Sequence, residues 1–367
     1  MQKKIIALAV AGLVSGAAFA QTNVTIYGVA DAGYVYSTGE RQGALNKNAN
    51  FSGINSGVLS GSRIGFKGQE DLGNGLKAVF TLEYALNLDA DEGVGTGSTL
   101  KSRQQWVGLK SDKLGQVALG RQYAPGFGAS VRADAIESSS SASPLLILQT
   151  AAGATIQSSS NARLNNSVTY TSPKMAGFTA SGIYSFGENT TTATAAGNGV
   201  STGNDGLYGV GLNYANGGLN VDAVYQKKDD STSTASQKDI NEWMIAGSYD
   251  FKVVKVMATY QDLENKGTTG TADLSNRVWS VGAIVPVFGK GAIRAGYADL
   301  DWDRKNSGGS DSWMLGYTHS LSKRTTLYTT YTRTDNDTNT VSAAGFSSTK
   351  AKGETNTVFT AGIRHTF

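Results

Sequence analysis

Two-residue alternation, repeated along most of the chain with no long apolar run beside it, is the feature that most limits how this sequence can fold. In residues 76–86, Leu76, Ala78, Phe80, Leu82, Tyr84 and Leu86 fall on one face, and Lys77, Thr81 and Glu83 on the other. A period of two is the period of a strand, whose successive side chains point to opposite sides of a sheet. Residues 178–186 repeat it, with Phe178, Ala180, Gly182, Tyr184 and Phe186 against Thr179, Ser181 and Ser185, and residues 219–226 and 254–261 do so again. The segments around Val278 and Tyr328 alternate less cleanly, and their faces stay unassigned.

No stretch approaches 18 consecutive apolar residues, so spanning helices are excluded. Cysteine is absent, and 46 glycines and 16 tyrosines accompany only 4 prolines. A negative mean hydropathy with alternating strands fits one membrane architecture, the closed barrel with lipid outside and water inside. Residues 1–20 read as an export leader, with Lys3 and Lys4, an apolar run over 5–14, and Ala18-Phe19-Ala20 before Gln21. Its removal takes two lysines from a formal charge of +3, which leaves no basic excess to suggest nucleic acid.

The connections alternate in length. Short ones fall at 73–75, 113–115, 174–177, 215–218, 250–253, 287–291 and 321–323. Long polar ones run over 39–60, 90–99, 123–162, 188–205, 229–239, 264–275, 303–310 and 335–354. Seven short and eight long connections separate sixteen strands, with both ends of the chain on the short-turn side. That predicts an all-β, sixteen-stranded antiparallel transmembrane barrel over 21–367, wide enough to hold an aqueous channel. The final segment, with Phe359, Ala361, Ile363, His365 and Phe367 on one face, must pair with the first strand or leave two edges in lipid.

The insert at 123–162 is too long for an ordinary connection and has no convincing strand or helix of its own. It carries only three charges, Arg132, Asp134 and Glu137, and an apolar run at 145–148. A hollow barrel gives it a place along the inner wall, where it would narrow the lumen.

In this order the motifs resemble the general porins of Gram-negative outer membranes, most of all the betaproteobacterial branch. They are Val24-Thr25-Ile26-Tyr27-Gly28-Val29, Ser62-Arg63-Ile64-Gly65-Phe66-Lys67-Gly68 with Glu70-Asp71-Leu72-Gly73, residues 103–109 running into 115–121, residues 163–170, and the terminal Phe367. The resemblance implies a homotrimer, a third long loop folded inward, and acids on that loop facing a basic wall. Carried over by residue, the wall is Arg63, Lys101, Arg103 and Arg163, and the acids are Asp134 and Glu137. The loop lacks the acidic and aromatic cluster of the better-known enterobacterial pattern. Parity agrees for Arg63 and Lys67, which lie opposite Ile64 and Phe66. An outward Trp106 would turn Lys101, Arg103 and Gln105 inward, and Arg121 falls on the lipid side as a subunit-interface residue. The other reading of the arginines is solvated wall or structural pairing.

A barrel hydrolase would need a nucleophile with a base, and only His319 and His365 are present, the latter on the lipid side. Gly93-Val94-Gly95-Thr96-Gly97 lacks the Lys-Ser or Lys-Thr pair of a phosphate loop. Trp106, Trp243, Trp279, Trp302 and Trp313 suit either interfacial girdles or strand packing. No cofactor and no metal is implied. The expected function is passive diffusion of small hydrophilic solutes and ions across an outer membrane, with mild anion preference, among lipid and lipopolysaccharide. The alternative is a barrel acting mainly through its surface loops, as an adhesin or antigen.

Overall fold

The computed structural model describes residues 23–39, 50–90, 101–186, 206–229, 239–265, 274–303, 308–337 and 352–367. The leader at 1–20, the glycine-rich 93–97 stretch and much of the long connections lie outside the described residues.

The chain opens with β1 (Asn23–Ser37), β2 (Phe51–Ser56), β3 (Arg63–Gly73), β4 (Leu76–Ala85), β5 (Ser102–Ser111) and β6 (Gly115–Tyr123). The long insert follows, with α1 (Pro125–Arg132), α2 (Pro144–Ala151) and a single 3-10 turn at Ser160–Ala162. Then come β7 (Arg163–Thr171), β8 (Phe178–Ser185), β9 (Leu207–Asn216), β10 (Leu219–Lys228), β11 (Ile240–Asp250) and β12 (Lys255–Glu264). The barrel ends with β13 (Asn276–Val287), β14 (Gly291–Trp302), β15 (Gly309–Ser320), β16 (Thr325–Asn336) and β17 (Asn356–Thr366).

Each strand pairs antiparallel with its neighbours, and β17 returns to β1 in register from Val29–Thr366 to Ser37–Val358. Closure removes every edge, as hydrocarbon surroundings require. Both β2 and β3 pair with β1, so they are two halves of one stave, and the barrel has sixteen.

Alternation sets the two surfaces. Val24, Ile26, Leu82, Tyr184, Ile245, Val281 and Ile363 stand exposed on the outer wall, while Thr81, Glu83, Asp222, Gln226 and Thr259 point inward and are buried. On the outer wall near the long loops, Trp243, Trp279 and Trp313 pack diagonally on Tyr260, Tyr297 and Tyr331, each pair at 5.4 Å between ring centroids. Near the short turns, Phe178 meets Tyr214 and Tyr249 meets Phe251. These rows are the two aromatic girdles of a barrel in a bilayer. Trp106 and Trp302 belong to neither.

The faces around Val278 and Tyr328 were unreadable for a physical reason. There the inner wall is apolar: Met257, Val278, Ala298, Leu300, Met314, Tyr328 and Val358 form one buried cluster with Leu145, Ile147 and Leu148 of α2. The insert docks on that patch, so inside and outside are both apolar along those strands.

Candidate functional site

The insert has more local structure than its composition suggested. Pro125 and Pro144 each begin a helix, and Ser143 caps α2 by accepting the Leu146 N–H at 3.0 Å. Pro in the first turn and Ser just before it are helix-start signals, and the Ser143-Pro144 pair ahead of an apolar run carries both.

A row of inward polar residues holds the insert to the wall. Asp222 of β10 takes both arms of the Arg132 guanidinium, at 3.0 and 2.6 Å. Gln226 accepts the Gly126 N–H at 3.0 Å. Glu242 of β11 accepts the Thr155 N–H and hydroxyl and the Ile156 N–H at 2.8, 2.6 and 3.1 Å. Asn276 of β13 donates to the Ala152 carbonyl at 3.1 Å. Pro125 lies close on β9 at Gly211, where an added Cβ would sit 2.9 Å from its ring.

Beside this seat lies a cavity of about 830 Å³, whose charged lining residues are Arg63, Lys101, Arg103, Arg163, Arg364 and Glu137. Arg103 Nε donates to Glu83 at 2.7 Å and its Nη2 to the Tyr123 hydroxyl at 3.2 Å. Arg63 lies 3.7 Å from the other Glu83 oxygen. Arg163 stacks over the Tyr123 ring at 5.3 Å, and Tyr123 stacks in turn on Phe127 of α1 at 3.6 Å. Glu83, which alternation assigned to the inner face, is thus a carboxylate of the basic wall that the family comparison of motifs missed.

The two loop acids part company. Asp134 is buried inside the insert, accepting the Ser143 hydroxyl and the Ile136 N–H, and does not face the lumen. Burial pushes its carboxyl up to about 6 against the pull of those hydrogen bonds and of Arg294. Glu137 does reach the lumen, where Arg364 and Arg294 clasp it. Burial raises its carboxyl, but the two guanidiniums outweigh that and hold it below the ordinary glutamate value. Arg294 also donates to the Ala135 carbonyl at 2.7 Å. The clasp fixes a loop tip where Glu137 and Ser138 take left-handed φ of 58° and 65°, a conformation that persists only where its surroundings enforce it. The transverse field expected from two loop acids therefore has one acid to supply it.

Parity along β5 needs a correction. Val107 and Leu109 face outward opposite Phe80 and Ala78, which turns Trp106 to the lumen and Gln105 to the lipid side. A bulge at Arg103, between the Glu83–Gln104 and Tyr84–Ser102 pairs, restores Arg103 to the inner face. Arg121 does lie on the outer side, as its pairing with Gln105 requires. Its guanidinium is held within the subunit by the carbonyls of Ser102 and Arg163 and by Asn165, at the loop end of β6. Of the histidines, His319 contacts the Tyr317 hydroxyl and His365 the Thr325 hydroxyl, both at 2.9 Å.

A profile of the Gram-negative porins matches residues 7–339. The chain belongs to that family. It is 33% identical over 372 residues to outer membrane porin protein 32 of Delftia acidovorans, with 100% of both chains covered. It is 28% identical to the major outer membrane protein P.IB of Neisseria lactamica, again over 100% of both. Among solved structures, the anion-selective porin from Comamonas acidovorans superposes with a TM-score of 0.78 at 28% identity, covering 95% of this chain and 100% of that one. This porin is an outer-membrane channel, and the basic cavity lies inside its barrel.

Proposed function

We propose that this porin is a homotrimeric, mildly anion-preferring pore for small hydrophilic solutes, with Arg63, Lys101, Arg103, Arg163 and Arg364 setting the preference against Glu137. The observation that carries the reading is the charge of the cavity: five basic side chains and one carboxylate line it. Walls of Arg and Lys favour anions. At about 8 Å between unit charges the Coulomb energy is roughly 2 kcal/mol at an effective dielectric of 20 and about 0.5 kcal/mol in bulk water. A wet constriction lies between these, which gives preference without exclusion. Glu83 moderates it by pairing with Arg63 and Arg103. The likeness to a porin described as anion-selective supports the same sign.

The trimer reading rests on the outer wall. Among the described residues, outward ring pairs occur on β8 to β16, whereas β5 and β6 present aliphatic Val107, Leu109, Val117 and Leu119. A smooth aliphatic face without girdle aromatics suits a neighbouring barrel, and the aromatic remainder suits lipid and lipopolysaccharide. Arg121 lies at the loop-side rim of that face, as a boundary residue.

Purified protein in planar bilayers tests the reading. Conductance that grows in proportion to salt, with a zero-current potential on the anion side that fades as the Debye length falls from about 10 Å at 0.1 M to about 3 Å at 1 M, supports it. A cation-side potential contradicts the selectivity.

A further inference from the structure

The second stave is broken halfway up, and the break turns into the lumen. Between the Ala32–Ser56 and Val29–Arg63 pairs, β1 runs through two residues while its partner runs through six, 57–62, so four are extra. Val58 and Leu59 are buried in one cluster with Ile136, Leu148 and Tyr328. Asp31, itself fully buried on β1, grips the excursion: it accepts the Ser60 N–H at 2.8 Å and the Leu59 N–H at 3.2 Å. The Tyr328 hydroxyl donates to the same carboxylate at 2.7 Å from across the β1–β17 closure.

From this grip the excursion reaches two ways. The Val58 carbonyl accepts the Ser139 hydroxyl of the long insert at 2.6 Å. The Gly61 carbonyl accepts Arg63 Nη1 at 3.0 Å, and a Cβ on Gly61 would lie 2.9 Å from the Arg103 guanidinium. One six-residue segment thus touches the insert and lies against two of the wall arginines, Arg63 and Arg103.

We propose that residues 57–62 are a second constriction element of this pore, and that Asp31 is the positioning residue that holds it. It narrows the lumen at Leu59, Ser60 and Gly61, which line the cavity, aims Arg63 into it, and ties the insert down through Ser139. Asp31 does not line the cavity; it acts through the backbone it holds. The selectivity readout rests on the proposed anion preference, whereas conductance and noise do not.

The test is bilayer recording of three variants that migrate as folded barrels in unheated gels. Deletion of residues 58–61 removes an even number and keeps every side chain on its face. It is expected to raise single-channel conductance by about 1.5- to 2-fold and to bring the anion-to-cation permeability ratio toward unity. Asp31→Asn, which sets an amide among the Ser60 and Leu59 N–H groups, keeps the question open to refutation where the deletion does not fold. It is expected to raise open-channel noise and to lower the permeability ratio part of the way, with Tyr328→Phe doing less. Wild-type conductance in the folded deletion variant, or wild-type noise and zero-current potential in Asp31→Asn, would overturn the proposal. A wild-type ratio already at unity would sink the anion preference alone, leaving conductance to judge the excursion.

Discussion

Glu83 sits where three side chains converge, taking Arg103 at 2.7 Å, the Tyr27 hydroxyl at 3.0 Å and Arg63 at 3.7 Å. Its replacement by Gln removes one negative charge from the basic wall while keeping its size. Glu83→Gln is therefore expected to increase the anion preference read as the zero-current potential at low salt, and an unchanged potential would mean that the pair is not felt by passing ions. The loop acids give opposite pH slopes. Glu137 is held below the ordinary 4.5, so the seat it gives the loop is present above that value and is lost as pH falls through the depressed one. Asp134 is raised from 3.8 to about 6, so its contribution is full below 3.8 and is lost as pH rises through 6. Open-channel noise should accordingly be lowest near about pH 4, rise toward about pH 6 and level off above it, and Asp134→Asn should abolish that rise.

At the scale of the element, α2 is held by its apolar face. Leu148 is fully buried among wall residues, and Leu148→Ala leaves a cavity that costs roughly 2 to 5 kcal/mol in a packed core. The expected result is a folded barrel with a looser insert, seen as faster proteolytic cutting within 123–162 and noisier openings; wild-type cutting would show that the polar row from Asp222 to Asn276 suffices alone. The strands were legible because lipid and water impose a period of two that survives in single segments such as 76–86. The helices were not, because the insert follows the shape of the wall more than its own periodicity, and only the Ser143-Pro144 start announced α2. The bulge at Arg103 was illegible for a related reason: one extra residue reverses parity, so Arg103 came out inward from a premise about Trp106 that was reversed. Asp134 looked like Glu137 in sequence, and only the fold of the loop tells the buried acid from the lumen one. Arg294 and Arg364 lie on strands far along the chain from the insert, and what they clasp became visible only with the tip in place.

Across the whole molecule, the outer wall divides into an aromatic arc and an aliphatic face, and the chain has no cysteine to interfere with labelling. Single cysteines at Val107 and Ile245 probe the two sides. In the assembled protein, a lipid-soluble maleimide is expected to label Ile245→Cys readily and Val107→Cys poorly, with the difference lost on dissociation; equal labelling would move the subunit boundary elsewhere. On the proposed reading, selectivity is also a property of the whole pore, because wall, excursion and insert must all be seated for the arginines to lie in the path of ions. The most direct test of the account is the zero-current potential in a salt gradient with Arg63, Arg103 and Arg163 all changed to Ser. The account predicts a shift toward the cation side with conductance preserved or raised. An unchanged potential in a folded triple variant would contradict it and return these arginines to solvated wall.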